Sequence, residues 1–225
     1  MLEILYKDRH VLAVIKPAGT PSQPDPSGAP DAMSLARAAL AEQGEPGDLW
    51  LVHRLDRVVG GILVFARTKA AAGELSSLFA THGAEKCYLA VTEGEAPTGE
   101  LCDLLYKDAA KGKSFVVDRA RAGVKEARLI AESISAANTD SGMRSLVRVT
   151  LLTGRFHQIR AQLSSRGASI VGDGKYGSRD KGARMPALYA YHLTFTLFGK
   201  EYELRSLPDT AAYPWSLFDL SEILK

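Results

Sequence analysis

Cysteine is nearly absent: Cys87 and Cys102 are the two in 225 residues, with neither CxxC spacing nor a neighbouring pair of ligands. That leaves no disulfide framework and no zinc signature, so two reduced thiols and no bound metal are expected. Long apolar runs are missing as well. Aliphatic stretches are broken by charge or glycine short of the roughly 18 residues that span a bilayer, so a membrane is not an expected partner. The opening MLEILYKDRHVLAVIKP has acidic and basic side chains inside its first apolar run and no small-residue cleavage site. It does not read as a secretory signal, and a cytoplasmic location is expected. One-sided charge is also lacking: 28 Lys and Arg against 26 Asp and Glu leave +2. That excess is too small either to demand a polyanionic partner or to exclude one. What is plentiful is core material, 46% hydrophobic residues, enough for one large or two small domains.

The pattern along the chain favours strands. Leu2 to Tyr6 and Val11 to Ile15 read as a hairpin around Lys7-Asp8-Arg9-His10. Five of the ten prolines fall between Pro17 and Pro30, predicting an extended surface loop. The loop ends at Asp31, an N-cap for the helix AMSLARAALAEQ, which Gly44 stops. Leu49 to Val52 and ILVFART read as strands, and KAAAGELSSLFATHG as an amphipathic helix. Strand signals then dominate in CYLAVTE, SFVVD, EARLIAES, RSLVRVTLL, LYAYHLTFTLF and KEYELRSL, the last two joined across Gly199-Lys200. One further helix is predicted from His157 to Ser165, followed after Gly167 by the glycine-rich loop GDGKYGSRD. Ala136 to Gly142 reads as a hairpin loop, and no repeat or linker divides the chain. The expectation is one α+β domain over residues 1–225, a mainly antiparallel mixed β-sheet core with a few flanking helices.

Two clusters stand out chemically. In VHRLDRVVGGILVFART, His53, Arg54 and Asp56 occupy a loop between apolar strands, where a rigid scaffold can present reactive groups. The plainer reading is a turn-capping aspartate paired with a neighbouring arginine. In LLTGRFHQIRAQLSSRG, Arg155 and His157 start a helix and Gln158 and Arg160 lie in its first turns. Cations there oppose the helix macrodipole, which makes sense if an anion is to be held nearby. A lone His157 is otherwise more commonly a hydrogen-bonded structural residue, and no second histidine lies at metal-ligand spacing.

Taken in order, KPAG at Lys16 to Gly19, HRLD followed by glycine and an apolar strand, KxYxA around Tyr88, GRFHQIR at Gly154 to Arg160 and GDxxYG at Gly172 to Gly177 cover nearly the whole chain. This series resembles the RluA family of pseudouridine synthases. The resemblance implies a pseudouridine synthase fold and an isomerase that converts specific uridines in ribosomal or transfer RNA to pseudouridine. Relatives often carry an additional small N-terminal RNA-binding domain, and this chain is expected to open directly on the catalytic one.

By the same resemblance Asp56 would be the nucleophile, Tyr88 would stack on the target uracil, Arg160 would pair with Asp56, and Arg54 would help displace the base from its stack. His53, Arg54, Arg155, His157 and Gln158 are the expected substrate-binding residues. Breaking an N-glycosidic bond develops positive charge at the ribose C1′, which an ionised carboxylate can stabilise or capture. The reaction calls for no cofactor, and the expected partner is RNA, bound by a monomer. One departure concerns the nucleophile loop: the family pattern HRLDxxTSG has Val59 and Gly60 in place of threonine and serine. On that account a catalytically silent RNA-binding protein with the same fold is the main alternative. A nucleoside or glycoside hydrolase, which needs a second carboxylate, is a weaker one because neither cluster supplies it.

Overall fold

The computed structural model describes residues 2–221. Its elements in chain order are β1 (Glu3–Lys7), β2 (Val11–Lys16), α1 (Ala32–Glu42), β3 (Trp50–Leu51), β4 (Gly60–Ala66), α2 (Lys69–Ala80), β5 (Glu85–Glu93), β6 (Gly99–Asp108), β7 (Lys113–Val117), β8 (Val124–Thr139), β9 (Gly142–Leu151), α3 (Gln158–Ser164), β10 (Leu188–Leu197) and β11 (Lys200–Arg205). Of the described residues, 2–86 with 190–208 form one compact unit and 87–189 with 209–221 a second. No helix among them is long and apolar enough to cross a membrane.

In the first unit the strand order is β1-β2-β4-β10, with β11 paired to β10 and β3 to β4. β4 is buried at every residue, which explains why GGILVFA is a continuous apolar run rather than an alternating one. Each helix begins on a side-chain cap. Asp31 accepts from the Ser34 amide at 3.1 Å ahead of α1, and Thr68 Oγ1 from the Ala71 amide at 3.1 Å ahead of α2. α2 lays Ala71, Leu75 and Phe79 onto a core that includes Val11, Ile62, Val64, Leu193, Phe195 and Leu204. At roughly 25 cal/mol per Å² of apolar surface removed from water, this layer supplies the main driving force of the unit.

The second unit has the order β5-β9-β8-β6-β7, with β7 at the edge. β8 alternates: Ala127, Leu129 and Ala131 are buried while Arg128, Ile130 and Glu132 are exposed, so one face packs and the other meets solvent. α3 packs against β6 and β7, and Leu163 is fully buried.

Three readings of the sequence need correction. β6 is a ten-residue strand where none was predicted. Its burial alternates only weakly, so periodicity does not reveal it; the long ladder with β8, from Gly99↔Ala131 to Tyr106↔Val124, defines it. Ala136 to Thr139 continue β8 instead of looping, because they pair with 142–145 of β9, and the turn narrows to Asp140-Ser141. The final hairpin turns one residue earlier than expected, at Phe198 (φ 50°) and Gly199 (φ 77°), two positive dihedrals that suit a tight hairpin.

Candidate active site

The predicted site residues divide between the units. His53, Arg54 and Asp56 belong to the first, in the loop from β3 to β4; Tyr88, Arg155, His157, Gln158 and Arg160 belong to the second.

The Asp56 loop is clamped by the proline-rich segment. Lys16, at the end of β2, is fully buried. Its ammonium donates to the carbonyls of Pro17 (3.1 Å), Thr20 (2.7 Å) and Arg57 (3.1 Å). The Gly19 amide donates to the same Arg57 carbonyl at 2.8 Å, and Arg57 Nε returns a bond to the Gly19 carbonyl at 2.9 Å. On the other side of Asp56, Ser22 Oγ donates to the Leu55 carbonyl at 2.9 Å and accepts from the Leu55 amide at 3.1 Å. Residues 55 and 57 are thus both pinned, and the side chain between them is presented on a fixed backbone. Burial lowers the Lys16 ammonium from its ordinary 10.5 to about 8, against the opposing pull of the Asp56 carboxylate. The KPAG motif was legible in the sequence, but Lys16's place beside Asp56 was not, because 40 residues of chain separate them.

Val59 and Gly60 stand where the family pattern has threonine and serine. Val59 is buried, and its amide donates to the Asp56 carbonyl at 3.0 Å, closing a turn through backbone alone. Gly61 follows at φ 116°, and a Cβ there would lie 2.3 Å from the Ala190 carbonyl oxygen, so only glycine fits where β4 meets β10.

His53 turns inward. Its Nε2 accepts the Val64 amide hydrogen at 3.0 Å, and its ring stacks on Phe79 with centroids 4.2 Å apart. Burial, with a further push from Lys86, lowers its pKa to about 3, so the imidazole is neutral. Arg54 next to it is exposed.

In the second unit Tyr88 lies on β5 and is 8% exposed. Gln158, the first residue of α3, locks the turn that precedes the helix. Its Oε1 accepts from Thr153 Oγ1 (2.8 Å) and the Arg155 amide (2.9 Å), and its Nε2 donates to the Arg128 carbonyl (3.0 Å). Arg155 Nε reaches the Glu126 carbonyl at 2.8 Å. His157 adopts a left-handed backbone, φ 52° and ψ 28°, unusual for a side chain of this size and costing about 1 kcal/mol. Tyr176 and Phe156 hold it there. Its Nδ1 lies 3.0 Å from the Tyr176 hydroxyl, which itself accepts from the Ser114 amide at 2.8 Å, and its ring stacks on Phe156 at 3.8 Å. Burial first, then the charges of Arg160, Lys175 and Lys107, lower the His157 pKa to about 3.

Arg160 is 4% exposed and forms a two-pronged pair with Asp173: Nε to Oδ2 at 2.6 Å and Nη2 to Oδ1 at 2.8 Å. Its guanidinium also lies over the Tyr176 ring at 4.9 Å. Such a fork fixes the plane of the guanidinium, which is its use in a site that must place a charge. Asp173 was not among the site residues expected from the sequence. The sequence signal was its position in GDxxYG, without any indication that it meets Arg160.

These features belong to a known class of fold. A human protein, RNA Pseudouridylate Synthase Domain Containing 1, superposes with a TM-score of 0.80 over all of this chain and 93% of its own, at 22% identity. A model of the RNA pseudouridylate synthase family matches residues 10–165. Among curated proteins, ribosomal large subunit pseudouridine synthase D of Zymomonas mobilis is 30% identical over 215 residues, covering 86% of this chain and 64% of that protein. Ribosomal large subunit pseudouridine synthase C of Escherichia coli is 32% identical over 180 residues, 79% of this chain and 54% of that protein. The chain belongs to the RluA family of RNA pseudouridine synthases, and it spans less than two thirds of the length of the Zymomonas and Escherichia proteins.

Proposed function

We propose that the protein is an RNA pseudouridine synthase, a cofactor-independent isomerase acting as a cytoplasmic monomer on uridines of ribosomal or transfer RNA. The observation that carries this reading is the Asp56 loop: a carboxylate on a backbone pinned at residues 55 and 57, next to a buried ammonium. Chemistry at C1′ needs an anion in one place, and this scaffold provides it before substrate arrives.

In the proposed reaction the target uridine leaves its stack, a step costing a few kcal/mol, with Arg54 assisting. The Asp56 carboxylate stabilises or captures C1′ as the C1′–N1 bond breaks. The freed uracil turns against the Tyr88 ring, a face that holds it without fixing its orientation through hydrogen bonds. C5 then bonds to C1′, C5 loses its proton and N1 gains one, so atoms balance with no oxidant, reductant or metal. Arg160, steadied by Asp173, is the proposed partner of the Asp56 carboxylate. Gln158, Arg155 and His157 fix the turn that carries Arg160, and His53 anchors the start of the nucleophile loop to β4. The two units act as one catalytic domain in this proposal, a view supported by the family match running across residue 86.

The test is Asp56→Asn, nearly isosteric. Pseudouridine, mapped in total RNA by base-specific chemical labelling, should vanish at one or a few sites in both the deleted and the substituted strain, while RNA affinity of the purified variant stays close to wild type. Persistence of every site would leave a silent RNA-binding protein, and release of free uracil would indicate a hydrolase.

A further inference from the structure

Across the molecule, long cationic side chains are commonly held by carboxylates. Lys7 and Arg67 share Glu45, Lys200 meets Asp8, Arg144 is buried against Asp180, and Arg166 pairs with Asp103. Four lysines of the second unit are held differently. Lys107, Lys111 and Lys113 lie along the β6–β7 hairpin, and Lys175 lies on the single helical turn Gly174–Tyr176. Lys107 Nζ is 4.7 Å from the centre of the Phe156 ring; Lys113 Nζ is 4.6 Å from Tyr176 and 5.4 Å from Phe115; Lys111 Nζ is 5.5 Å from Phe115. Lys113 donates to the Lys175 carbonyl at 2.7 Å and Lys175 to the Gly112 carbonyl at 2.9 Å, so each segment is tied by the other's backbone. Among the described residues one carboxylate comes within ion-pair reach of the four: Asp108, 3.9 Å from Lys111, whose side chain is 70% exposed.

An aromatic face or a carbonyl holds an ammonium group without neutralising it, whereas a carboxylate cancels its field. Lys107, Lys113 and Lys175 therefore act outward uncancelled, with the exposed Lys111 only partly offset by Asp108 beside them, and the charges repel one another until an anion is bound. Their influence reaches the candidate site, since Lys175 and Lys107 help to keep His157 uncharged. A uridine within a polymer brings phosphates on both sides of it, and those phosphates must cross surface next to the reacting nucleotide. We propose that the β6–β7 hairpin and the Gly174–Tyr176 turn form a docking surface for the RNA phosphate backbone, gripping it through Lys107 and Lys111 while Lys113 and Lys175 brace the two segments. This rests on the reading of the protein as an RNA-modifying enzyme, but its test does not require turnover.

The experiment measures binding of a labelled synthetic stem-loop RNA, with uridines in its loop, as a function of salt. Wild type is compared with Lys107→Gln/Lys111→Gln and with Arg9→Gln/Lys69→Gln, a control that removes the same charge from exposed positions of the first unit. Thermal melts establish that all three are folded. The hairpin variant should lower the slope of log K against log salt by about 1.4, near 0.7 per lost contact, and weaken binding roughly 25-fold at about 0.1 M salt. The control should leave the slope at the wild-type value. An unchanged slope in the hairpin variant, an equal drop in the control, or a wild-type protein that does not bind RNA overturns the proposal. A flattened slope in a protein that makes no pseudouridine supports the surface and removes the catalytic reading alone.

Discussion

Lys16 carries its charge where water cannot reach it, and that has a measurable sign. Its folded pKa of about 8 lies below the ordinary 10.5, so between those values the unfolded chain binds more protons than the folded one. Stability tied to this group is therefore lowest below pH 8 and rises as pH goes from 8 to 10.5, by about 3 kcal/mol in full. Urea titrations of wild type and Lys16→Met at several pH values in this window should diverge, the wild type gaining and the variant lacking that increment. Parallel curves would reject the assignment. Tyrosines and other lysines titrate in both proteins and cancel in the difference. Lys16→Met should also lose turnover, since the carbonyls of Pro17, Thr20 and Arg57 lose the ammonium that gathers them around Asp56.

At the scale of elements, α3 depends on one amide. Gln158 satisfies Thr153, the Arg155 amide and the Arg128 carbonyl from a nearly closed position, 3% exposed. Gln158→Ala removes the partner of the Arg155 amide, while Thr153 Oγ1 and the Arg128 carbonyl keep bonds to each other and to nearby amides, so the cost is about 1 to 2 kcal/mol. Thermal unfolding should fall by several degrees, and activity should fall further than stability because the turn carries His157 and Arg160. Gln158→Glu, which keeps the acceptor, should restore part of the loss; equal defects in both variants would show that the acceptor bonds are not what matters. Much of this was readable beforehand. The motif GRFHQIR located the turn and helix, and Asp31 caps α1 as its place before an apolar run predicts, whereas Thr68, read as the end of a strand, caps α2 instead. β6 was not readable, since it owes its strand form to β8 and its own alternation is faint.

For the molecule as a whole, acid is the weak side. His53 is enclosed between Phe79 and the Val64 amide with a folded pKa of about 3, against an ordinary 6.5. Below pH 6.5 the unfolded chain takes up a proton that the folded one refuses, so stability falls with pH by about 1.4 kcal/mol per unit, toward pH 3. His157 acts in the same direction. Denaturation at pH 6.5 and 4.5 should differ by about 2 kcal/mol from His53 alone, and the nitrogen resonances of its ring should remain those of a neutral imidazole across the interval. A His53 that titrates near 6.5 in the folded protein would disprove this account.

The sequence by itself determined the class of fold, the order of most elements and the family, because caps, hydrophobic period and short motifs are properties of neighbouring residues. The tertiary structure alone decided what surrounds them: Lys16 and Ser22 around the Asp56 loop, Asp173 on Arg160, Tyr176 under His157, and the Lys107–Lys113 hairpin tied to Lys175. Those partners lie from 13 to more than 60 residues away in the chain. Local patterning cannot encode such a pairing; it arises when strands register and buried polar groups must each find a partner.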